Sequence, residues 1–116
     1  MFSAGSGEVQ GADKPLLERI GAALAKVPGT IVVSGHTDSI PIRSLQFPSN
    51  WHLSKARALS VRDLLAAQVD PARMRVEGRA DTEPVDDNGS AAGRARNRRV
   101  EIALTPSVTN GVGGER

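Results

Sequence analysis

Apolar residues recur at helical spacing in two stretches of the chain. The spacing predicts a first helix that runs from Asp13, its N-cap, to Val27, with Pro15 in the first turn. It predicts a second helix from Ser54, its N-cap, to Gln68. Each predicted helix is long enough to lay one apolar face against a sheet.

Three shorter stretches have the pattern of strands. Thr30–Ser34 is a β-branched run typical of a buried strand, whereas residues 74–79 and 99–104 alternate apolar and polar positions. Residues 37–50 contain two prolines and no periodicity, and loops of this length in a compact domain are usually functional. A short helical turn before the last strand completes the order helix, strand, helix, strand, turn, strand, which predicts βαβ units with helices covering a sheet.

The length of 116 residues allows one domain. We expect this domain to cover residues 1–104 and a disordered tail, small and glycine-rich, to cover residues 105–116. Two isolated apolar residues near the start, Phe2 and Val9, are expected to flank or join a further short strand.

Composition narrows the function classes. Hydrophobic residues make up 39% and charged residues 24%, which is the balance of a folded globular domain. Apolar runs are only a few residues long, so neither a membrane span nor a signal peptide is expected. The absence of cysteine excludes disulfides and thiolate chemistry. A net charge of +2 and 3% aromatic residues do not favour nucleic acid as a partner.

Arg57 breaks the pattern of the second predicted helix. At about 100° per residue it shares the apolar arc with Val61 and Leu64, so its side chain should point into the domain. It also lies in the first predicted turn, where the helix dipole disfavours a cation. A buried guanidinium needs an anionic or strongly accepting partner, because it keeps its proton.

Asp38 is the obvious candidate partner, since it follows the first predicted strand and ligands bind at the carboxyl ends of strands in α/β sheets. The two charges could simply pair with each other. Alternatively, both could line a cleft for a zwitterionic ligand, with Asp38 binding an ammonium and Arg57 a carboxylate. The residues alone leave both interpretations open.

A metal site built from His36, Asp38 and His52 is another alternative, although its spacing matches no strong zinc motif. A metal-dependent hydrolase would add a base such as Asp81. Ser34 with His36 and Asp38 supplies the residue types of a nucleophilic triad but lacks a nucleophile elbow. No catalytic residue, metal or cofactor is therefore expected.

Two other features have ordinary structural interpretations. Trp51 is expected to anchor the long loop by packing, with a sugar-stacking platform as the alternative. The arginine cluster over 94–99 is expected to form part of a solvated edge and to pair with Glu101 and with Asp86 or Asp87.

From about Thr30 to Leu104 the sequence resembles the OmpA-like peptidoglycan-binding domain. The resemblance combines several motifs in the right order, namely Gly35-His36-Thr37-Asp38, residues 50–58, Gly78, Pro84, Asn88, and residues 94–102.

The resemblance implies an α+β fold, a βαβαβ-type two-layer sandwich with a mixed sheet and helices on one face. It implies non-covalent binding of the peptide stem of peptidoglycan at meso-diaminopimelate, with no enzymatic activity. The recognition pair of the family maps onto Asp38 and Arg57, which the periodicity singles out independently. Other positions that shape or border the cleft map onto Thr37, Asn50, Leu53, Ser54 and Arg98.

Within the family, residues 40–42, 47–51 and 78–81 look like the subgroup attached to inner-membrane machines. The domain appended to the TssL proteins of type VI secretion is favoured over that of the flagellar stator protein MotB, on residues 76–81 and 93–99. Either implies a periplasmic domain of an inner-membrane-anchored protein of a Gram-negative bacterium, with a transmembrane helix preceding this chain. The implied partners are peptidoglycan, other subunits of the machine and optionally a second copy, whereas a protein-interaction module without wall binding is the alternative.

Overall fold

The computed structural model of the protein describes residues 1–106. Helices and strands alternate along the chain, as the sequence predicts. In order they are α1 (Lys14–Ala25), β1 (Thr30–Gly35), α2 (Asn50–Leu65), β2 (Met74–Gly78), α3 (Ala91–Asn97) and β3 (Val100–Thr105). Single turns of 3₁₀ helix precede α1 at Gly11–Asp13 and β2 at Pro71–Arg73.

The three strands form one mixed sheet in the order β2-β1-β3. β1 runs parallel to β2 and antiparallel to β3, and the register places Val33 beside Val76 on one side and Ile102 on the other. The central strand is the β-branched run, which has neighbours on both edges and therefore the most buried backbone. The predicted α+β fold with a mixed sheet is confirmed.

The hydrophobic core lies between this sheet and the helices. Ile31 and Val33 of β1 are buried together with Leu17 of α1 and with Val61 and Leu65 of α2. Helix α2 packs directly on β1 and β2, and α1 packs on α2. The buried face of α2 therefore lies against the sheet and that of α1 lies against α2, as amphipathic helices do in a layered domain.

Gly35 allows the backbone of β1 to approach α2 very closely. A Cβ atom at this position would collide with the Ser54 carbonyl oxygen. Glycine is the residue that tolerates such an approach. The contact brings the loop after β1, which begins with His36, alongside the first two turns of α2.

Helix α2 begins earlier than the sequence predicts. Ser49, and not Ser54, is its N-cap, and the Ser49 hydroxyl oxygen accepts a hydrogen bond from the His52 backbone N–H at 3.4 Å. Arg57 therefore lies in the second turn of α2, and the helix-dipole argument drawn from a first-turn position is wrong. The side chain of Ser54 has another task, since it accepts a hydrogen bond from the backbone of Ala80 at 3.0 Å.

Three smaller predictions need correction. Helix α1 begins at Lys14, and the side chain of Asp13 makes no capping hydrogen bond. Phe2 and Val9 are buried in the core, but neither belongs to one of the strands of residues 1–106. Thr105 pairs with Thr30 as the last residue of β3, so the predicted tail does not begin there, and its residues 107–116 lie outside the described part of the chain.

Within residues 1–106, no helix combines the length and the apolar character needed to cross a bilayer.

Candidate ligand-binding cleft

A cleft of about 300 Å³ opens where the loop after β1 meets the first turns of α2. The N-terminal segment, residues 1–9, forms its third wall. Four of the seven predicted site residues line it, and the complete lining consists of Ala4, Gly5, Asp38, Ile40, Pro41, Ile42, Asn50, Leu53 and Arg57. The cleft is thus mainly apolar, with a carboxylate and a guanidinium in its walls.

Asp38 is held on both of its carboxylate oxygens. Its Oδ1 accepts a hydrogen bond from the Ile40 backbone N–H at 3.1 Å, and its Oδ2 accepts one from Arg98 Nη1 at 3.1 Å. Arg98 also donates from Nε to the Phe2 carbonyl at 3.0 Å. Only 7% of Asp38 is exposed, so the carboxylate is fixed in position and partly desolvated. Its ionic partner is Arg98, and the direct Asp38–Arg57 ion pair considered from the sequence is wrong.

Arg57 is fully buried and donates to three backbone carbonyl oxygens. Nε donates to Ser6 at 2.8 Å, Nη1 to His36 at 3.1 Å and Nη2 to Ser3 at 3.1 Å. The guanidinium carbon lies 5.2 Å from the centre of the Phe2 ring, within range of a cation–π interaction. The prediction that Arg57 points inward and needs strong acceptors is confirmed, and the acceptors are main-chain atoms.

The charges at the cleft favour a ligand that carries a negative charge, whether or not it also carries a positive charge. Burial lowers the pKa of Arg57 to about 10, the charge of Asp38 opposes this change, and Arg98 reinforces it. Arg57 therefore stays protonated at neutral pH. Two guanidinium groups and one carboxylate meet here, so the site keeps a net positive charge that attracts a carboxylate. Among the described residues that line the cleft, Asp38 supplies the one acidic side chain.

Thr37 and Ser54 support the cleft without lining it. The Thr37 hydroxyl donates to the Asp38 carbonyl at 2.8 Å, and the Thr37 backbone N–H donates to the Ala80 carbonyl at 2.8 Å. Ser54 is completely buried and joins α2 to the backbone of Ala80. Asn50 lies at the rim and donates from Nδ2 to the Ile40 carbonyl at 3.2 Å, which fixes the start of the long loop.

The N-terminal segment is the part of the site that sequence reasoning missed. The carbonyl groups of Ser3 and Ser6 hold Arg57, and Ala4 and Gly5 form a lip of the cleft. Any residue type presents a backbone carbonyl, so no pattern of side chains could have indicated these contacts. The apolar character of Phe2 is an available signal, but by itself it indicates a residue that flanks or joins a short strand.

Two asparagines that were not predicted as site residues hold the loop that follows Asp38 in place through hydrogen bonds. Asn88 Oδ1 accepts hydrogen bonds from the Ser39 backbone N–H at 3.3 Å and from Asn97 Nδ2 at 2.8 Å. Asn97 is fully buried at the end of α3 and also binds the backbone of Val85. The turn before α3 is thereby tied to the cleft.

The metal-site alternative is not supported by the geometry. His52 Nδ1 lies 2.7 Å from the Ser49 hydroxyl at the cap of α2, whereas the ring of His36 is buried with Nε2 3.8 Å from a carboxylate oxygen of Glu101. Asp38 is held by Arg98. In the part of the chain that the structure describes, no three potential ligands of this kind converge.

His36 predicts a pH dependence of stability. Both ring nitrogens are buried and lack a hydrogen-bond partner among residues 1–106. Burial lowers the pKa of His36 from its ordinary 6.5, Arg99 and Arg79 lower it further, and Glu101 and Glu83 oppose the change. The folded protein thus holds His36 neutral where the unfolded chain begins to protonate it.

We therefore expect the free energy of unfolding to fall as the pH drops below about 6.5, because the unfolded state then binds the extra proton. Urea unfolding at several pH values between neutral and mildly acidic conditions measures this change. The His36→Gln variant, which has no titrating ring, should show a flatter profile. Parallel profiles for the two proteins would exclude His36 as the source.

The arginine cluster and Trp51 have different outcomes. Arg99 pairs with Glu101 at 2.7 Å and Arg96 with Asp86, so the predicted ion pairs are confirmed. Trp51, in contrast, is 55% exposed on the first turn of α2. The prediction that it anchors the loop by packing is wrong.

Several known proteins are similar in sequence to this chain. Motility protein B of Bacillus subtilis (strain 168) is 38% identical over 108 residues, which are 90% of this chain and 41% of that protein. The probable lipoprotein YiaD of Escherichia coli (strain K12) is 38% identical over 107 residues, which are 90% of this chain and 47% of that protein. The chain therefore spans less than half the length of these curated relatives.

Two solved structures have the same fold as this chain. The cell wall anchor of the type VI secretion system from Pseudomonas aeruginosa is 53% identical with a TM-score of 0.82, covering 92% of this chain and 76% of that one. The C-terminal domain of Helicobacter pylori MotB is 29% identical with a TM-score of 0.86, covering 93% of this chain and 84% of that one.

The profile of the OmpA family matches residues 1–98, which include the N-terminal segment, Asp38, Arg57 and Arg98. With this match over most of its length, the chain belongs to the OmpA family.

Proposed function

We propose that this domain binds peptidoglycan non-covalently and anchors a machine of the cell envelope to the wall. Membership of the OmpA family and 53% identity to a cell wall anchor support the proposal. The observation that carries it is the cleft, in which one fixed carboxylate and one buried guanidinium lie in the walls of a mainly apolar groove. Such a site is suited to binding a zwitterionic ligand.

The ligand with matching chemistry is the zwitterionic end of meso-diaminopimelate in the peptide stem. Its ammonium group would bind Asp38, whose carboxylate is already fixed by the Ile40 backbone and Arg98. Its carboxylate would lie toward Arg57, which donates three N–H groups to carbonyls and retains one on each terminal nitrogen. The methylene chain that joins this zwitterionic end to the rest of the stem would contact Ile40 and Leu53.

A lysine derivative with both α groups blocked, Nα-acetyl-lysine amide, offers a direct test of this assignment, because it has the side-chain ammonium group but lacks the carboxylate that lies beside it in diaminopimelate. We expect the purified domain to pellet with sacculi that contain diaminopimelate. Free meso-diaminopimelate should release it, whereas the blocked lysine at the same concentration should not. Failure of a folded domain to pellet would overturn wall binding, and equal release by the blocked lysine would overturn the zwitterion assignment.

We propose type VI secretion as the machine, with a flagellar stator as the second candidate. Identity is 53% to the type VI anchor, against 38% to Bacillus subtilis Motility protein B and 29% to Helicobacter pylori MotB. The domain would then lie in the periplasm, on a membrane-anchored protein. Disrupting this domain in its own bacterium should abolish type VI-dependent killing of competitors and leave swimming intact; the reverse result would assign it to the stator.

A further inference from the structure

Trp51 lies in a second groove, separate from the cleft. This groove has a volume of about 520 Å³ and is lined by Trp51, Glu77, Gly78, Arg79 and Thr82. Isolated exposed apolar residues are normal on protein surfaces and need no explanation. Trp51 differs because it shares a groove with the carboxylate of Glu77, the guanidinium of Arg79 and the hydroxyl of Thr82. A mixture of apolar surface with a few polar groups is typical of ligand sites.

The polar groups of this groove are held in place. Arg79 Nη2 lies 2.9 Å from a carboxylate oxygen of Glu77, and Arg79 Nη1 lies 3.5 Å from Glu83. The Thr82 hydroxyl donates to the Arg79 carbonyl at 2.7 Å. A planar guanidinium braced between two carboxylates keeps donors and acceptors side by side next to the indole.

The backbone beneath the groove is constrained as well. Ala80 has a φ of 53°, the left-handed region that residues other than glycine rarely adopt, and it is almost completely buried. Its N–H donates to Ser54, and its carbonyl accepts a hydrogen bond from Thr37 in the loop of the cleft. Strained residues persist where the surroundings over-determine them, often at functional sites. The turn at Ala80 thus fixes the groove relative to the cleft.

The two sites are neighbours on one helix turn. Asn50 lines the cleft and Trp51, the next residue, lines the groove. In peptidoglycan each peptide stem is attached to a sugar of the glycan strand. A stem held in the cleft would therefore bring sugar rings close to the indole.

We propose that Trp51, flanked by Glu77, Arg79 and Thr82, is a second binding site that stacks on the amino-sugar rings of the glycan strand. This inference rests on the proposed peptidoglycan binding. The indole face covers the apolar face of a pyranose ring, while Glu77 and Arg79 bind its hydroxyl and acetamido groups. The domain then holds the wall at two chemically different points, a peptide and a sugar.

The composition of the chain makes the test direct. The protein has one tryptophan and no tyrosine, so its fluorescence reports Trp51 alone. Titration with the tetrasaccharide of N-acetylglucosamine, a soluble glycan without peptide, should shift this fluorescence to saturation. The Arg79→Ala variant should bind the tetrasaccharide at least about threefold more weakly, and maltotetraose, which lacks acetamido groups, should cause no shift. Fluorescence that the tetrasaccharide leaves unchanged, or that maltotetraose shifts equally, overturns the proposal.

Pelleting with sacculi separates this inference from the proposed function. Trp51→Ala should weaken pelleting about three- to tenfold, because an aromatic contact of this kind contributes on the order of 1 kcal/mol. Leu45→Ala, at a fully exposed apolar residue of the long loop, is the matched control and should pellet like the parent. If Trp51→Ala also pellets like the parent while Asp38→Asn does not, only the sugar site is wrong. If all three variants pellet like the parent, the assignment of the cleft is wrong as well, whereas a folded parent that does not pellet overturns the proposed function itself.

Discussion

Replacing Asp38 by asparagine should abolish pelleting of the domain with sacculi. The substitution keeps the shape of the side chain but removes the negative charge that Asp38 contributes to the cleft wall, so the ammonium group of the ligand loses its partner. Removing one member of a desolvated charge pair costs about 2–5 kcal/mol, which weakens binding by roughly thirtyfold or more. A micromolar interaction would then fall below detection in a pelleting assay.

Asp63→Asn is the matched control for this experiment. Asp63 lies on α2, but it is largely exposed, and its ionic partner among residues 1–106 is its neighbour Arg62. It should pellet like the parent. Circular dichroism and thermal unfolding of both variants separate a loss of binding from a loss of fold. A folded Asp38→Asn variant that pellets normally would contradict the assignment of the cleft.

Replacing Arg57 by methionine should have its main effect on stability. The variant fills similar space but leaves the carbonyl groups of Ser6 and His36 without a donor, whereas the Ser3 carbonyl keeps its hydrogen bond from the Ser6 backbone N–H. Each buried acceptor left unpaired costs about 1–3 kcal/mol, so we expect a total on the order of 4 kcal/mol. The free energy of unfolding of a typical domain is about 5–15 kcal/mol, so a loss of this size could unfold a domain at the low end of that range.

Urea unfolding of the variant measures this loss. Arg62→Met is the control on the same helix and should change the free energy of unfolding by no more than about 0.5 kcal/mol, since in the described part of the chain Arg62 pairs with its neighbour Asp63 alone. Arg57→Lys keeps the charge but cannot reach three carbonyls with one ammonium group, so its loss should be intermediate. An Arg57→Met variant as stable as the parent that fails to pellet would show that Arg57 serves the ligand alone.

Arg57 also shows which parts of the site could be predicted from the sequence and which could not. Helical periodicity identified it because a single cation falls on an otherwise apolar arc, and burial of that arc is a physical necessity. Its acceptors could not be predicted, because the carbonyls of Ser3 and Ser6 are independent of residue type. The partner of Asp38 was missed for a related reason. Arg98 and Asp38 are far apart in sequence, and only the packing of β3 against β1 brings them together.

The start of α2 illustrates a second limit. Ser49 and Ser54 are both acceptable N-caps, and local propensity does not choose between them. The choice is made by tertiary contacts, since Ser54 is buried against the backbone of Ala80 and Ser49 is free to cap. Alternation along β2 and β3 was sufficient to place these strands, because a strand with one wet face leaves a period of two. The exposure of Trp51 could not be predicted in this way, because a single exposed residue produces no periodic pattern in the sequence.

The hydrogen bond from Arg98 to the Phe2 carbonyl joins residues 96 positions apart. The bond from Arg57 to Ser3 spans 54 positions, and the one from Arg98 to Asp38 spans 60. Contacts between such distant residues require large loops to close before they contribute any free energy, and proteins rich in them fold slowly. We therefore expect the cleft to be complete only after the C-terminal strand has docked. Until Arg98 reaches its folded place, Asp38 lacks its ionic partner, so ligand binding should be restricted to molecules that have finished folding.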